Sequence, residues 1–171
     1  MDITVRLARA DELDAVSELT AQAYLADGLV PPGSDYQENL RAARHRAEHT
    51  ELLVATDGAD SEVLGTVAFV RAGTAYAELA REGEAEFRML AVAAQARGRG
   101  VGEALVLACL ERARALGAER VVICSSEHMH AAHRLYERLD FVRSPDRDWC
   151  PLPGVNLMGY IHTLRSPRTG A

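Results

Sequence analysis

The chain has 171 residues, 48% of them hydrophobic and 26% charged, a balance typical of one soluble globular domain. Its net charge of −6 argues against a nucleic-acid partner, because neutralising phosphates requires a basic face. The N-terminus lacks the basic start and apolar run of a secretory signal, and no stretch approaches the ~20 apolar residues of a membrane span. Three cysteines without a CxxC pair, Cys109, Cys124 and Cys150, indicate reduced thiols. We therefore expect one cytoplasmic domain over residues 1–165, a flexible tail over 166–171 and no membrane association.

The first part of the chain predicts a strand, two helices and a hairpin. The alternation in ITVRL indicates a strand over 3–8, and ADELDAVSELTAQAY follows with helical spacing and Asp11 as its N-cap. After the loop GLVPPGS, a polar helix ends near His49. Strands over 52–56 and 63–70, joined by an Asp-Gly turn, predict an antiparallel hairpin.

The second part alternates strands and helices. An acidic, irregular segment precedes a strand over 86–92, and a helix over 101–116 leads to a short apolar strand over 121–125. These elements form a βαβ unit, which predicts parallel strands and a right-handed crossover. Beyond it we predict a helix over 131–139, a strand starting at 141, a loop over 143–154 and a last strand over 155–164. The order indicates an α/β domain with a mixed sheet.

The stretch QARGRGVGEAL, residues 95–105, places three glycines directly before a helix. Because glycine costs about 1 kcal/mol in a helix, Gly98, Gly100 and Gly102 need a reason. A strand, a glycine turn and a helix N-terminus form an anion site, in which unpaired N–H groups point at the ligand, and Arg97 and Arg99 add positive charge. The alternative is a tight strand-to-helix connection with solvated arginines.

Two common nucleotide-binding patterns do not fit this turn. A P-loop requires Gly-Lys-Ser/Thr, whereas Glu103 follows Gly102. The dinucleotide fingerprint requires GxGxxG on the first strand of its fold, whereas the spacing here is GxGxG and a hairpin precedes it. A nucleotide-binding enzyme of another kind is therefore a disfavoured alternative.

Three motifs resemble those of the GNAT superfamily of acetyl-coenzyme A-dependent N-acetyltransferases. Residues 97–102, RGRGVG, resemble its R/Q-x-x-G-x-G/A signature, and EFRMLAV resembles its central strand. The stretch AAHRLYERLDFV, residues 131–142, resembles its later A-x-x-LYE-x-LGF helix, with Asp140 in place of the usual glycine. The resemblance extends over almost the whole chain. It implies an α/β fold with a mixed, mostly antiparallel central sheet, a splayed parallel strand pair and about four helices.

The resemblance also implies acetyl-coenzyme A as the acetyl donor, without a metal. Main-chain groups at the end of the central strand would bind the pantetheine arm, and backbone amides of the turn would bind the pyrophosphate beside its two arginines. These implied donor-binding residues are Leu90, Ala91, Val92, Arg97, Gly98, Arg99, Gly100, Val101 and Gly102.

The resemblance implies catalytic roles for two residues. Tyr136 would hydrogen-bond to the developing thiolate; the alternative is a core aromatic, since it lies on the apolar stripe of its helix. Glu86 opens the central strand and would act as a base through water; the alternative for it and for nearby Glu84 is a solvated acidic loop.

The acceptor side is less defined. Tyr24, Tyr36 and Trp149, with the loops 25–36 and 143–154, would shape the acceptor pocket, or belong to plain surface loops. Three histidines at 128, 130 and 133 could be read as a metal site, but no carboxylate or cysteine at ligand spacing completes it.

The predicted function is acetyl transfer to a primary amine, of a small molecule or a peptide, by direct attack in a ternary complex. No cysteine lies where a covalent acetyl carrier would be expected. The alternative is a non-catalytic coenzyme A-binding regulatory module. The acceptor's identity and the oligomeric state, for which a homodimer is one option, stay open.

Overall fold

The computed structural model describes residues 3–26, 42–58 and 62–164. Four α-helices lie in these ranges: α1 (Leu13–Ala26), α2 (Ala43–His49), α3 (Val101–Ala115) and α4 (His130–Arg138). The described strands are β1 (Ile3–Leu7), β2 (Glu51–Asp57), β3 (Val63–Arg71), β4 (Glu84–Val92), β5 (Arg120–Ser126), β6 (Val142–Arg143), β7 (Trp149–Leu152) and β8 (Val155–Thr163). Short 3-10 turns occupy Ala10–Glu12, Ala94–Ala96 and Pro145–Arg147.

The described strands form one eight-stranded mixed sheet in the order β1-β2-β3-β4-β5-β8-β6, with β7 also paired to β8. The β1–β2, β2–β3 and β5–β8 pairs are antiparallel, and β4–β5 is parallel. The predicted hairpin, parallel pair and mixed α/β class are thereby confirmed. The buried runs of β2 and β3 explain why hydrophobic residues fill both strands, since each face of this part of the sheet is covered.

Contacts within the chain define two compact units. Unit 1 comprises Met1–Phe69 and Arg88–Ala108, and its described core contains fully buried aliphatic side chains such as Val16, Leu53 and Leu105. In α1 and α3 such residues recur at helical spacing, which removes one face of each helix from water, whereas consecutive residues of β2 are buried on both faces.

Unit 2 comprises Val70–Phe87 and Cys109–Ala171, and an aromatic cluster lies in its core. The Tyr136 ring centroid lies 6.1 Å from that of Phe87, 5.6 Å from Phe141 and 5.9 Å from Tyr160. These tilted contacts are typical of aromatic packing. They join α4 to β4 and β8.

Three local expectations were wrong. The predicted loop 143–154 contains strand β7, which pairs with β8. Its Pro151 cannot donate a ladder hydrogen bond, but a proline is tolerated on a strand at the edge of a sheet. Asp11 is not the N-cap of α1: it lies inside the 3-10 turn, and α1 begins at Leu13. Strand β4 begins at Glu84 rather than at residue 86, because Glu84 already pairs with Arg120.

Candidate functional site

The glycine turn lies in unit 1, between the end of β4 and the first residue of α3. Gly98 and Gly100 have φ values of +78° and +84°, in the left-handed region that side chains disfavour. No described heavy atom of the chain lies within 4 Å of the position that a Cβ would take at either glycine. Backbone conformation, not crowding within the chain, therefore accounts for both glycines. Gly102 lies in the first turn of α3.

The start of α3 carries the electrostatics expected of an anion site. The first N–H groups of a helix have no partner within it, and they carry the positive end of the helix dipole. Arg97 and Arg99 are exposed beside this end. The Arg99 guanidinium lies 3.3 Å from a carboxylate oxygen of Asp57, with 38% and 48% of the two side chains exposed. A pair this exposed contributes little, about 0–1 kcal/mol, so Asp57 holds Arg99 only weakly.

Gly65 in β3 allows α3 to begin directly against the sheet. A Cβ at this position would lie 2.7 Å from Cγ1 of Val101 and 3.0 Å from the carbonyl oxygen of Ala91. A side chain here would push the start of the helix away from the strand end. Sequence reasoning missed this residue, although an isolated glycine within a strand is the signal for such close approach.

Strand β4 changes character at Met89. This buried methionine has a φ of +61°, a conformation that costs a non-glycine residue roughly 1–2 kcal/mol. Before it, Glu84–Glu86 pair in parallel with Arg120–Val122; after it come the predicted pantetheine-binding residues, of which Ala91 is buried and Leu90 and Val92 are half-buried. The irregularity interrupts the strand directly before the predicted donor contacts. The sequence around Met89 contains no signal that predicts this left-handed conformation.

Tyr136 lies in unit 2 on the inner face of α4 and is 4% exposed. Burial, with smaller contributions from Cys124, Cys109 and Tyr160, raises the pKa of its hydroxyl well above the usual range. At neutral pH this hydroxyl is therefore protonated and can donate a hydrogen bond. This placement is compatible with both interpretations of Tyr136, as a core aromatic residue and as a hydrogen-bond donor to the thiolate.

Glu86 is buried at 3% exposure, so it is not a solvated loop carboxylate. Its Oε1 accepts hydrogen bonds from three consecutive backbone N–H groups: those of Glu78 at 3.0 Å, Leu79 at 3.0 Å and Ala80 at 2.9 Å. The carboxylate thus orders the segment that precedes β4. The sequence offered no signal for these contacts, because they depend on the path of an irregular loop.

Glu84, two residues earlier on the same face of β4, is also buried. Its Oε2 accepts hydrogen bonds from Arg147 at 2.7 Å and from Arg120 at 2.9 Å, and its Oε1 accepts the N–H of Arg81 at 3.0 Å. Burial raises the pKa of this carboxyl, but these hydrogen bonds outweigh burial and lower the pKa to about 2. Glu84 is therefore ionised at neutral pH and anchors Arg147.

Trp149 begins strand β7 and is half-buried. Its indole N–H donates to Sγ of Cys124 at 3.4 Å. Since Glu86 pairs with Val122 and side chains alternate along a strand, Cys124 lies on the same face of the sheet as Glu86. The structure thus places Trp149 and Glu86 on one face within unit 2.

The other predicted acceptor residues cannot be placed in the same way. The backbone of Tyr24 lies in the last turns of α1, and its side chain lies outside what the structure describes. Tyr36, with most of the loop 25–36, lies outside the described residues.

Of the three predicted histidines, only His133, within α4, is buried; His128 and His130 are exposed. Nε2 of His133 lies 2.9 Å from the carbonyl oxygen of Ser126, and burial lowers the pKa of this imidazole. His128 is exposed beside Glu127. Within the ranges that the structure describes, no group of three histidine, cysteine or acidic side chains could hold a metal ion. None of the described helices is long and apolar enough to cross a membrane.

The described residues combine a mixed sheet, in which β4 and β5 run parallel, with a glycine turn that leads from β4 into α3. The chain belongs to the acetyltransferase (GNAT) family, whose model matches residues 13–141. A search of curated protein sequences gave no match.

Solved structures share the fold at low sequence identity. A GNAT-family acetyltransferase from Staphylococcus aureus Mu50 is 12% identical, with a TM-score of 0.75 over 96% of this chain and 100% of that one. The phosphinothricin acetyltransferase of Sinorhizobium meliloti, solved in complex with acetyl-CoA, is 21% identical, with a TM-score of 0.69 over 99% and 95% of the two chains. YncA of Salmonella typhimurium, solved with its cofactor acetyl-CoA, is 19% identical, with a TM-score of 0.68 over 100% and 99%.

Proposed function

We propose that this protein transfers an acetyl group from acetyl-coenzyme A to a primary amine by direct attack in a ternary complex. The observation that carries the proposal is the turn in which Gly98 and Gly100 adopt left-handed conformations directly before α3. Family membership supports acyl transfer, and two structural relatives were solved with acetyl-CoA.

The chain's own groups fit an anionic donor. The turn is open on the side of both glycines. The first N–H groups of α3 would face an anion bound at the helix N-terminus. We propose that the N–H groups of residues 98–102 bind the pyrophosphate, with Arg97 and Arg99 beside them. Main-chain groups of Leu90, Ala91 and Val92 would pair with the pantetheine amides, in the manner of a peptide added to a sheet edge.

The chemistry requires a neutral amine. A lysine-like amine with a pKa near 10.4 is only about 0.04% neutral at pH 7, whereas an α-amino group with a pKa near 8 is about 10% neutral. The amine nitrogen forms a bond to the acetyl carbon, the carbon–sulfur bond breaks, and the amine's extra proton passes to solvent. An acceptor with a lower pKa therefore needs less help from the protein.

We propose that the Tyr136 hydroxyl interacts with the departing thiolate of coenzyme A. Because burial raises the pKa of its hydroxyl far above that of a thiol, full proton transfer to sulfur is unfavourable, and a hydrogen bond to the developing charge is the role that fits. We propose that the Trp149 side chain forms one wall of the pocket that binds the acceptor amine.

The proposal is tested by measuring coenzyme A release with a panel of polyamines, aminoglycosides, amino acids and peptide N-termini. Thermal shifts with coenzyme A, ATP and NAD give the ligand class independently of turnover, because a ligand that binds the folded state stabilises it. Stabilisation by ATP or NAD alone would contradict the proposal. Stabilisation by acetyl-CoA without thiol release across the panel would favour a non-catalytic binding module.

A matched pair of variants locates the donor site. Gly100→Ala and Gly154→Ala both place a side chain at a left-handed residue, with φ values of +84° and +82° and no described atom nearby. The backbone strain is therefore similar, roughly 1–2 kcal/mol in each. We expect only Gly100→Ala to reduce the thermal shift caused by coenzyme A, since Gly154 lies in the β7–β8 turn.

A further inference from the structure

Four consecutive backbone N–H groups before β4 are directed at two buried carboxylates. Those of Glu78, Leu79 and Ala80 converge on Oε1 of Glu86 at 2.9–3.0 Å, and that of Arg81 reaches Oε1 of Glu84 at 3.0 Å. Successive N–H groups of this kind form an anion-binding concavity. Here the anion is a side chain of the same chain, so the segment is folded around Glu86.

This arrangement is unfavourable for a general base. A base must take up a proton in the transition state, and protonation removes the charge that strengthens the three hydrogen bonds to Oε1. Hydrogen bonds donated to an ionised carboxylate stabilise it relative to the protonated form. The three N–H donors thus oppose the event that catalysis would require.

The same segment is joined to the strand that carries Trp149. The carbonyl oxygen of Leu79 accepts a hydrogen bond from Nη1 of Arg147 at 3.1 Å, and Nη2 of Arg147 donates to Glu84 at 2.7 Å. Arg147 ends the 3-10 turn two residues before Trp149, and its side chain is 6% exposed. Part-buried hydrogen bonds therefore link Glu86 through Leu79 to Arg147, which lies two residues before the start of β7.

We propose that Glu86 is a positioning residue: its carboxylate holds the segment Glu78–Ala80 and, through Leu79 and Arg147, sets the position of Trp149 on the acceptor side. It does not accept the proton of the amine. The inference rests on the proposed function, because it concerns the acceptor side of that reaction.

Two substitutions at one position separate the two roles. Glu86→Gln removes the basic group but retains an oxygen that accepts backbone N–H groups, whereas Glu86→Ala removes both. Glu82→Gln, at an exposed glutamate of the same segment, controls for the loss of one negative charge. The measurements are kcat and acceptor KM over pH, and amide hydrogen exchange of residues 78–80.

We expect Glu86→Gln to retain kcat within about threefold, with an unchanged pH profile, because its amide oxygen replaces the acceptor. Glu86→Ala should raise the acceptor KM by about tenfold or more and accelerate exchange at residues 78–80, since three part-buried N–H donors lose their acceptor. Rescue of KM and exchange by glutamine supports positioning.

A fall in kcat of about a hundredfold in Glu86→Gln, with loss of the acidic limb of the pH profile, would identify Glu86 as the base and overturn the inference alone. Unchanged exchange at residues 78–80 in Glu86→Ala would also overturn it. Absence of acetyl transfer by the unsubstituted protein would overturn the proposed function, and the exchange data would still report whether Glu86 holds the segment.

Discussion

Replacing Arg147 with methionine should destabilise the protein at neutral pH by leaving a buried carboxylate without its main cation. The Arg147 and Glu84 side chains are 6% and 1% exposed, and their closest atoms are 2.7 Å apart. Methionine keeps much of the volume of the arginine stem but cannot donate. Arg120 remains beside Glu84, but its side chain is 39% exposed and it is the weaker partner.

The magnitude follows from the pKa of Glu84, which hydrogen bonds lower to about 2 in spite of burial, against an ordinary value of 4.5. This difference corresponds to about 3 kcal/mol of stabilisation by the ionised form at neutral pH. Removing one member of a buried pair costs about 3–5 kcal/mol in other proteins. Because Arg120 and the N–H of Arg81 remain, we expect a loss of about 2–4 kcal/mol.

The sign of the pH dependence is fixed by the lowered pKa. The contribution of Glu84 is fully present above about pH 4.5 and is lost as the pH falls toward about 2, where the folded-state carboxyl protonates. The difference in stability between the unsubstituted protein and Arg147→Met should therefore shrink over this interval.

The assay is urea unfolding at pH 7 and near pH 3, with Arg134→Met as the control at an exposed arginine of α4. The double variant Glu84→Gln with Arg147→Met should recover part of the loss, because it leaves no unpaired buried charge. A variant within about 0.5 kcal/mol of the unsubstituted protein at pH 7 would refute the reasoning, as would a difference independent of pH.

Three further outcomes are expected. Tyr136→Phe should lower kcat by about a hundredfold with little change in melting temperature, and an unchanged kcat in steady-state assays would remove its proposed role. Asp140→Gly should stabilise the protein by about 1 kcal/mol in urea unfolding, because Asp140 has a φ of +69° at the end of α4; lower stability would contradict this account. Asp57→Asn should tighten coenzyme A binding about two- to threefold at low salt by removing the negative charge that lies beside Arg99, and the gain should vanish at high salt; calorimetric titrations that show no gain at low salt would exclude the interaction.

Local rules accounted for the glycine turn that we propose for the donor and for much of the fold. Gly98 and Gly100 could be singled out because the left-handed region is open almost only to glycine, and the periodicity of α3 and α4 follows from apolar spacing. Strand β7 was not predicted, because two prolines and a cysteine in WCPLP resemble a loop more than a strand. The left-handed Met89 had no sequence signal, because methionine has no preference for that conformation.

The carboxylates show the limit of sequence reasoning. From the sequence, Glu84 and Glu86 are neighbouring acidic residues at the start of a strand, and nothing distinguishes an exposed base from a buried anchor. Arg147, which is bound to Glu84, lies 63 residues away along the chain. The three N–H groups on Glu86 come from an irregular segment whose path no periodicity describes.

The sequence by itself therefore indicated the family through the resemblance of three motifs. It also determined most of the order of elements and the turn that we propose for the donor, because these depend on backbone preferences and spacings within a few residues of each other. Only the tertiary structure decided which partners surround Glu84, Glu86, Tyr136 and Trp149. Their burial and hydrogen bonds arise where distant segments meet, and the low polarity there sets what each group can do. The same glutamate can serve as a base or as an anchor, and its neighbours in space determine which.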